Sequence, residues 1–364
     1  MTTPTTMRAI VLMGHGGLDK LELHTDWPTP TPGPGEVLIK VGACGLNNTD
    51  VNTRSGWYSK AVSEETTGGA YEEVNEDDPT WGGAPLTFPR IQGADVCGVA
   101  VAVGEGADPA LIGRRVLVDT WLRDWDDPMN LDACGYYGSE ADGGFAEYTK
   151  VDHHNVHAID SNLSDAELAT FATSSITAEN MLNRANVVAG DTVLIPGASG
   201  GVGSALIQLA NRRGAKTIAM ASEAKHDMVR EVGPTAILPR APANLKAALK
   251  EAIGTDTVTV VADVVGGDQF GTVIDVLARG GRYTCAGAIA GPMVTLDMRT
   301  FYLRDLTFTG ATIVPPGVFA NLVEYIERGE IKPLLAEAYP LEQLHTAQEA
   351  FIAKQHIGNI VVTI

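Results

Sequence analysis

A glycine cluster between an apolar strand and a helix is the feature that most constrains this chain. Residues 192–203 have the sequence TVLIPGASGGVG, so a buried strand enters a turn and a helix leaves it. Gly200 and Gly201 would let the backbone approach a pyrophosphate without a Cβ in the way, and Gly203 would let the helix pack closely on the strand. The free N–H groups of the helix N-terminus favour an anion. The segment therefore predicts a dinucleotide-binding turn, with a glycine turn that binds nothing as the alternative.

Strands and helices alternate along the chain after about residue 160. The predicted strands TVLIPG, TIAMAS, TVTVVADVV and RYTCAG are separated by the predicted helices GSALIQLANRRG, KHDMVREVG and FGTVIDVLARGG. This alternation is typical of a parallel sheet covered by helices, so we expect an α/β fold. A further helix is predicted over SDAELATFATSSITAENML, with Ser164 and Glu167 as its capping box. The residues before 160 alternate between apolar stretches and Gly or Pro, which indicates a β-rich region.

The length and charge of the chain narrow the range of functions. A chain of 364 residues predicts two domains. The 26 basic and 45 acidic side chains give a net charge of −19, which disfavours nucleic-acid and membrane binding. No apolar run has the length of a membrane span, and the N-terminus lacks the pattern of a secretory signal. The four cysteines form no CxxC pair, so we expect reduced thiols and a cytoplasmic protein.

The end of the second strand of the α/β region indicates which dinucleotide binds. NAD-selective sites usually place an acidic residue there, which accepts a hydrogen bond from the ribose 2′-hydroxyl. Here the strand ends at Ser222, and Lys225 follows three residues later. A hydroxyl and an ammonium suit a 2′-phosphate, although the adjacent Glu223 argues the other way. We therefore expect NADPH rather than NADH as the cofactor.

Several stretches together resemble the medium-chain dehydrogenase/reductase superfamily over almost the full length. They are GPGEVLIKVGACGLNNTD, RIQGADVCGVAVAVGEG, DGGFAEY, TVLIPGASGGVGSALIQLA, VADVVGG, GGRYTCAG and GNIVV. The segment GLNNTD at 45–50, the run RSG at 54–56 and Tyr58 are similar to the zinc-free quinone oxidoreductase branch. The resemblance implies a β-rich GroES-like catalytic domain over residues 1–160, completed by a return of residues 313–364. It also implies a Rossmann cofactor-binding domain over 161–312, an active site in the cleft, and a homodimer through the Rossmann sheet edges.

The zinc-containing branch of this superfamily can be tested against the sequence. The positions that match its three catalytic zinc ligands are Asn47, Ala94 and Thr173. Ala94 has no donor atom, and an amide and a hydroxyl are poor zinc ligands. The structural zinc lobe needs four closely spaced cysteines, whereas residues 119–141 contain only Cys134. We therefore expect no metal.

A site without zinc favours a different substrate from a simple alcohol. Zinc lowers the pKa of an alcohol as a Lewis acid, whereas an electron-poor acceptor needs only a hydride and a hydrogen-bond donor for its developing oxyanion. The resemblance places the candidate donors Asn47, Thr49 and Tyr58 in the cleft. The expected activity is NADPH-dependent reduction of a quinone or an α,β-unsaturated carbonyl, with a small electron-poor molecule as the partner. The alternatives are an aldehyde or ketone reductase that uses Thr49 or Tyr58 as proton donor, and a crystallin-like protein that binds NADPH without turnover.

Residues on several predicted strand ends and turns are expected to contact the cofactor, because ligands of open α/β sheets bind at the carboxyl ends of the strands. The candidates are Thr177, Ser199, Gly200, Gly201, Val202, Ser222, Lys225, Val265, Gly266, Ala286, Gly287 and Ala288.

Three further features complete the predictions from the sequence. Asp50 and Asp95 are assigned structural roles, and the resemblance implies that Asp50 is buried against a basic partner. The HHxxH cluster at 153–157 is predicted to be strand and turn rather than a metal site. Two acidic excursions, at 59–85 and 119–141, have no template, and Trp57, Tyr58 and Trp81 beside the first could either line an acceptor pocket or pin the loop.

Overall fold

The computed structural model describes residues 3–71, 74 and 84–364, so Trp81 and much of the first excursion lie outside the described residues. The strands are β1 (Thr6–Leu12), β2 (Leu21–Pro28), β3 (Glu36–Gly45), β4 (Arg90–Ile91), β5 (Asp95–Val103), β6 (Arg115–Val118), β7 (Trp121–Leu122), β8 (Gly135–Tyr136), β9 (Tyr148–Asp152), β10 (Val156–Ala158), β11 (Thr192–Ile195), β12 (Lys216–Ala221), β13 (Ala236–Pro239), β14 (Val258–Asp263), β15 (Leu277–Cys285), β16 (Thr307–Gly310), β17 (Leu335–Pro340) and β18 (Asn359–Thr363). The helices are α1 (Asn48–Ser55), α2 (Asp165–Leu168), α3 (Ala172–Arg184), α4 (Gly201–Arg212), α5 (His226–Val232), α6 (Leu245–Ile253), α7 (Phe270–Asp275), α8 (Met298–Tyr302), α9 (Val318–Glu327) and α10 (Leu344–Ala353).

The chain divides into two compact units. Unit 1 comprises Met1–Val62, Thr67–Thr173 and Pro315–Ile364, and unit 2 comprises Ser63–Thr66 and Ser174–Val314. The short piece Ser63–Thr66 joins unit 2 because the Thr66 amide donates a hydrogen bond to Ile289 O at 3.0 Å. The sequence contains no signal for that excursion, since four polar residues in a loop have no periodicity.

Unit 1 is built around a sheet in the order β10-β6-β5-β3-β18-β17, with β9 also paired to β3. The last strand of the chain, β18, pairs antiparallel with β3, so both chain ends contribute to this sheet. Its core consists of strand side chains that are fully buried, among them Val37, Ile39 and Val362. A smaller sheet has the order β2-β1-β4. The second excursion is not an open loop here, since β7 and β8 pair through Trp121 and Tyr136.

Unit 2 contains a six-stranded sheet in the order β13-β12-β11-β14-β15-β16, in which every neighbouring pair is parallel. The central strands are apolar throughout, because a parallel sheet is buried on both faces; Leu194, Ile218 and Val261 are fully buried. The alternation of strands and helices predicted after residue 160 is therefore present. The order also shows that the chain starts its sheet at β11, builds outward to β13 and then returns to place β14 on the other side of β11. Ligands of such sheets bind at the carboxyl ends of the two strands at this switch point, β11 and β14.

Two predicted helices differ from the structure. The helix predicted over FGTVIDVLARGG ends at Asp275, and the strand β15 begins at Leu277, because Leu277 pairs with Val258 in the parallel sheet. The single helix predicted after Ser164 is two helices, α2 and α3, although the capping box is present: Ser164 N donates to Glu167 Oε2 at 2.8 Å. Strands β13 and β16 were not predicted.

The histidine cluster has the predicted form of strand, turn and strand. His153 and His154 lie in a one-turn 3-10 helix between β9 and β10, and His157 lies on β10. Burial lowers the pKa of His157 to about 4, and its ring packs against Phe319 at a centroid distance of 5.0 Å. His157 therefore has a packing role as a neutral side chain.

Two further observations concern the whole of the described chain. Cys44, Cys97, Cys134 and Cys285 are all free thiols. Among the described residues, no helix combines the length and apolar character required to cross a membrane.

Candidate active site

The glycine turn between β11 and α4 has a geometry that requires glycine. Gly197 has a φ of +67°, a conformation that L side chains rarely adopt. A Cβ on Gly203 would lie 2.3 Å from Gly197 O, so only glycine allows α4 to begin this close to the preceding turn. Gly200 is the N-cap residue of α4 and is exposed, and a Cβ there would meet only Gly197 O at 3.6 Å. The cradle therefore fits a pyrophosphate that approaches the backbone of Gly200.

The predicted phosphate-binding residues all lie at this turn. Ser199, Gly201 and Val202 are half-buried, and Gly201 and Val202 form the first turn of α4. The first N–H groups of an α-helix have no carbonyl partner within the helix, and together with the helix dipole they attract an anion. The turn thus combines a helix N-terminus with glycines that leave room for an anion.

Two loops at the carboxyl ends of β14 and β15 hold the remaining predicted backbone contacts, Val265, Gly266, Ala286, Gly287 and Ala288. Backbone hydrogen bonds join the two loops: Ala290 N donates to Val265 O at 2.8 Å, and Ile289 N donates to Val264 O at 3.2 Å. A Cβ on Gly287 would lie 3.2 Å from Val264 O, so the contact is close.

Asp263 organises these loops, which the sequence did not reveal. It is buried at the end of β14, and its Oδ1 accepts hydrogen bonds from Val265 N at 2.7 Å and Gly266 N at 3.3 Å. Its Oδ2 accepts a hydrogen bond from the Tyr283 hydroxyl at 3.0 Å. Burial raises the pKa of Asp263, while the amides of Val265 and Gly266 and the Tyr283 hydroxyl lower it. The carboxylate fixes the backbone positions that are expected to meet the cofactor.

A second cation joins the predicted ribose-binding residues. β12 ends at Ala221, Ser222 follows as an exposed residue, and Lys225 lies in the next 3-10 turn. The pKa of Lys225 is lowered first by burial and then by the positive charge of Arg240, which comes directly after β13. Two cations held close together repel each other, and a bound dianion would relieve that repulsion. Arg240 was missed because β13 was not predicted.

Thr177 is half-buried on α3, the helix that the resemblance associates with the nicotinamide. No hydrogen bond of its hydroxyl is found among the described residues, so its contact with a cofactor remains a prediction.

The N-terminus of α1 brings the predicted Asn47 together with Asp50. Asn47 is the N-cap residue, and its amide N–H donates to Asp50 Oδ2 at 2.8 Å. Gly93 N donates to Asp50 Oδ1 at 3.2 Å. Asp50 is buried as expected, but among the described residues it forms no ion pair, so the expectation of a basic partner is not met. Two backbone N–H groups take the place of a cation, and burial raises the pKa of Asp50 to about 7.

Asn47 has an unused donor. Its side chain is 7% exposed, and its Nδ2 has no hydrogen-bond partner among the described residues. The Asn47 side chain lies beside the Asp95 carboxylate and lowers the pKa of Asp95, yet the two form no hydrogen bond of normal geometry. A buried amide donor without a partner costs free energy, which a ligand atom that accepts the hydrogen bond would recover.

Thr49 and Tyr58 lie next to each other. Burial raises the pKa of the Tyr58 hydroxyl, while hydrogen bonding from the side chains of Thr49 and Asn52 lowers it. The Trp57 and Tyr58 rings are in edge-to-face contact at a centroid distance of 5.6 Å. The structure thus places Thr49 and Tyr58 in one polar group at the first turn of α1 and the turn after that helix.

The residues at the zinc-ligand positions do not fit a zinc ion. Asn47, Ala94 and Thr173 offer an amide, a methyl group and a hydroxyl, and the Thr173 hydroxyl already donates to Asp95 Oδ1. Within residues 3–71, 74 and 84–364, the group of three ligating side chains found close together is Asp152, His153 and His154, whose ligand atoms lie within 4.8 Å of one another. That group is at the end of β9, where His154 is exposed and stacks on Trp125.

Two family models match the chain. Residues 33–161 match the family described as the alcohol dehydrogenase GroES-like domain, and residues 201–328 match the family described as zinc-binding dehydrogenase. These matches and the six-stranded parallel sheet confirm the expected α/β fold, a Rossmann domain with a GroES-like domain.

Relatives cover nearly the whole chain. Human quinone oxidoreductase is 27% identical over 354 residues, which is 95% of this chain and 94% of the relative. Acryloyl-coenzyme A reductase of Metallosphaera sedula is 26% identical over 369 residues, covering 98% and 100%. A solved structure from Sinorhizobium meliloti 1021, provisionally assigned as an alcohol dehydrogenase, is 46% identical with a TM-score of 0.90, covering 99% of this chain and 97% of that one.

Proposed function

Because the chain belongs to the medium-chain dehydrogenase/reductase superfamily, we propose that it is an NADPH-dependent, metal-free reductase of quinones or α,β-unsaturated carbonyls. The observation that carries the proposal is the buried Asn47 amide, whose Nδ2 lies beside the Asp95 carboxylate but forms no hydrogen bond of normal geometry in the described part of the chain. The similarity to a quinone oxidoreductase and to an acryloyl-coenzyme A reductase supports an electron-poor acceptor.

The cofactor assignment rests on the cations at the end of β12 and β13. Lys225 and Arg240 would hold the 2′-phosphate, and Ser222 would donate a hydrogen bond to it. The pyrophosphate would bind the turn at Ser199, Gly200, Gly201 and Val202. When bound, NADPH supplies a hydride from C4 of its nicotinamide ring.

The residues of unit 1 supply what the hydride transfer requires besides the hydride. As the hydride arrives, negative charge develops on the carbonyl oxygen of the acceptor. Asn47 Nδ2 is the donor best suited to that oxygen, because it is buried and forms no hydrogen bond of normal geometry in the described chain. An acceptor that is already electron-poor needs no Lewis acid, which agrees with the donor set at the zinc-ligand positions.

Replacing Asn47 by alanine should lower kcat for an enone by about 10²- to 10³-fold, because one preorganised oxyanion donor contributes about that much. The matched control is Asn48→Ala, which removes the same side chain one residue away; Asn48 Oδ1 accepts a hydrogen bond from Lys354 Nζ at 2.8 Å. Steady-state NADPH oxidation measures both. Equal activity of the two variants would contradict the role of Asn47.

An aldehyde or ketone reductase is the second candidate, and the adjacency of Thr49 and Tyr58 favours it, since either hydroxyl could donate a proton to a carbonyl oxygen. NADPH deuterated at C4 separates the two activities on one unsaturated ketone. Deuterium at the β-carbon of the product supports conjugate reduction, and deuterium at the carbinol carbon supports carbonyl reduction. Tight NADPH binding without either product would instead support the crystallin-like alternative.

The assembly that we propose is a homodimer through the β16 edge of the parallel sheet. The segment leading into β16 exposes an unusual number of large apolar side chains, which is typical of an interface. They are Met293, Val294, Met298, Tyr302 and Leu303. Sedimentation velocity tests the assembly, and a monomer at micromolar concentration would contradict it.

A further inference from the structure

A chain of three hydrogen-bonded side chains lies in unit 1, and no feature of the sequence predicted it. The Tyr136 hydroxyl is 2.6 Å from Thr173 Oγ1, and Thr173 Oγ1 donates to Asp95 Oδ1. Since Thr173 has a single hydroxyl hydrogen and gives it to the carboxylate, Tyr136 is the donor in the first bond. Three elements build the chain: β8 positions Tyr136, α3 positions Thr173 and β5 positions Asp95.

The chain is buried and runs toward the predicted catalytic residues. Asp95 is fully buried, Tyr136 is 5% exposed and Thr173 is 9% exposed. Ionisation of Tyr58 would raise the pKa of Tyr136, and Asp95 lies beside the Asn47 amide. Asp95 Oδ2 has no hydrogen-bond partner among the described residues, as is true of Asn47 Nδ2. A connected polar chain therefore ends within the group that would handle the acceptor.

We propose that Asp95, Thr173 and Tyr136 form a proton relay that delivers a proton to the acceptor oxygen during reduction. The inference rests on the proposed function, because the hydride must come from the bound NADPH. It assigns the proton source that a metal-free reduction still needs and names Tyr136 as the group at the outer end.

The relay balances the reaction. The hydride reduces the acceptor and oxidises NADPH to NADP⁺. The O–H bond of Tyr136 breaks as a new O–H bond forms on the acceptor oxygen, giving an enol or a hydroquinone. Tyr136 regains a proton from Thr173, Thr173 takes one from the Asp95 carboxyl group, and a solvent proton restores Asp95 between turnovers.

The direction of the relay depends on the protonation of Asp95. With a protonated carboxyl group the three O–H groups can all point outward, so Tyr136 is a donor. With an ionised carboxylate they point inward, as they do in the hydrogen-bond pattern of this structure. Burial raises the pKa of Asp95 to about 6, and its neighbours are Asp50 on α1, with a pKa of about 7, Cys44 on β3, and Tyr136. The reductive kcat should therefore fall as the pH rises through about 6 to 7.

Thr173→Val cuts the relay and leaves the backbone in place. The variant removes the hydroxyl but keeps the Thr173 N–H bond to Asp95 Oδ1, which is 2.9 Å long and anchors the start of α3. The expected result with NADPH and an unsaturated ketone is a kcat roughly 10²-fold lower, an unchanged KM, and loss of the decline with pH. Thr173→Ser restores the hydroxyl and should recover both the rate and the pH profile.

A neighbouring pair provides the matched control. The Tyr137 hydroxyl is hydrogen-bonded to Thr149 Oγ1, both residues are buried, and the pair does not reach Asp95. Thr149→Val and Tyr137→Phe should keep the wild-type pH profile, whereas Tyr136→Phe should behave like Thr173→Val.

The outcomes separate the relay from the proposed function. No NADPH oxidation by the wild-type protein with any electron-poor acceptor would overturn the proposed function. Wild-type turnover with a Thr173→Val variant that keeps the rate and the pH dependence would overturn the relay alone. A Thr173→Ser variant as impaired as Thr173→Val would also overturn it, because the defect would then follow from packing.

Discussion

Replacing Lys225 and Arg240 together by glutamine is expected to weaken NADPH binding by 100-fold or more and to leave NADH binding nearly unchanged. A charge-assisted hydrogen bond contributes about 1.5–3 kcal/mol, and each 1.4 kcal/mol is a factor of about ten in Kd. Burial and the positive charge of Arg240 lower the pKa of Lys225, so a bound dianion would stabilise both cations. Titration calorimetry with both nucleotides measures the effect.

The control for this double variant is Lys250→Gln, because Lys250 is an exposed cation on α6 of the same unit. It should bind NADPH as the wild-type protein does. An equal loss of NADPH and NADH affinity in the double variant would show that the two cations support the fold of the site instead of the 2′-phosphate. A wild-type preference for NADH would contradict the cofactor assignment itself.

Replacing Arg54 by methionine is expected to reduce the free energy of unfolding of unit 1 by about 3–5 kcal/mol, because each buried acceptor left without a donor costs about 1–3 kcal/mol. Arg54 is fully buried on α1 and donates to Gln348 Oε1, Gly16 O and Gly68 O at 3.0, 2.7 and 3.0 Å. Methionine keeps much of the volume but leaves these three acceptors without a donor. Burial lowers the pKa of Arg54 to about 10, so the guanidinium stays charged at neutral pH.

The matched control for the Arg54→Met variant is Arg8→Met. Arg8 also forms several hydrogen bonds, to Glu147 and Glu342, but its side chain is 41% exposed, so its removal should cost less than about 1 kcal/mol. Chemical denaturation followed by circular dichroism compares the two variants. Equal stabilities would mean that the guanidinium of Arg54 does not hold its three segments together.

The fold could be predicted where local pattern and local geometry agree. The strand, glycine turn and helix at 192–212 were predicted because φ at Gly197 and the contact between Gly203 and Gly197 depend on neighbouring residues. The segment Leu277–Gly281 was predicted as helix because its strand conformation depends on pairing with Val258, which is distant in sequence. The capping box at Ser164 could be predicted because its two residues are only three positions apart. The break between α2 and α3 was not predicted.

Some residues of the candidate site could likewise be predicted from local sequence, and others could not. Ser222 and Lys225 follow a predicted strand and could be found, but Arg240 follows a short strand that pairs with its neighbour only in the folded sheet. Asp95, Thr173 and Tyr136 are separated by dozens of residues, and a single sequence contains no signal that joins them. Asp50 was expected to pair with a cation, yet it accepts hydrogen bonds from backbone N–H groups. Every residue except proline has such a group, so the sequence could not identify these donors.

We propose that this protein reduces its acceptor with NADPH and without a metal. The most direct test is elemental analysis and turnover on a single preparation that has been dialysed exhaustively against a strong chelator. We expect full NADPH-dependent reduction of an unsaturated ketone or quinone with far less than one transition-metal ion per chain. Loss of turnover on chelation, restored by added zinc, would contradict it.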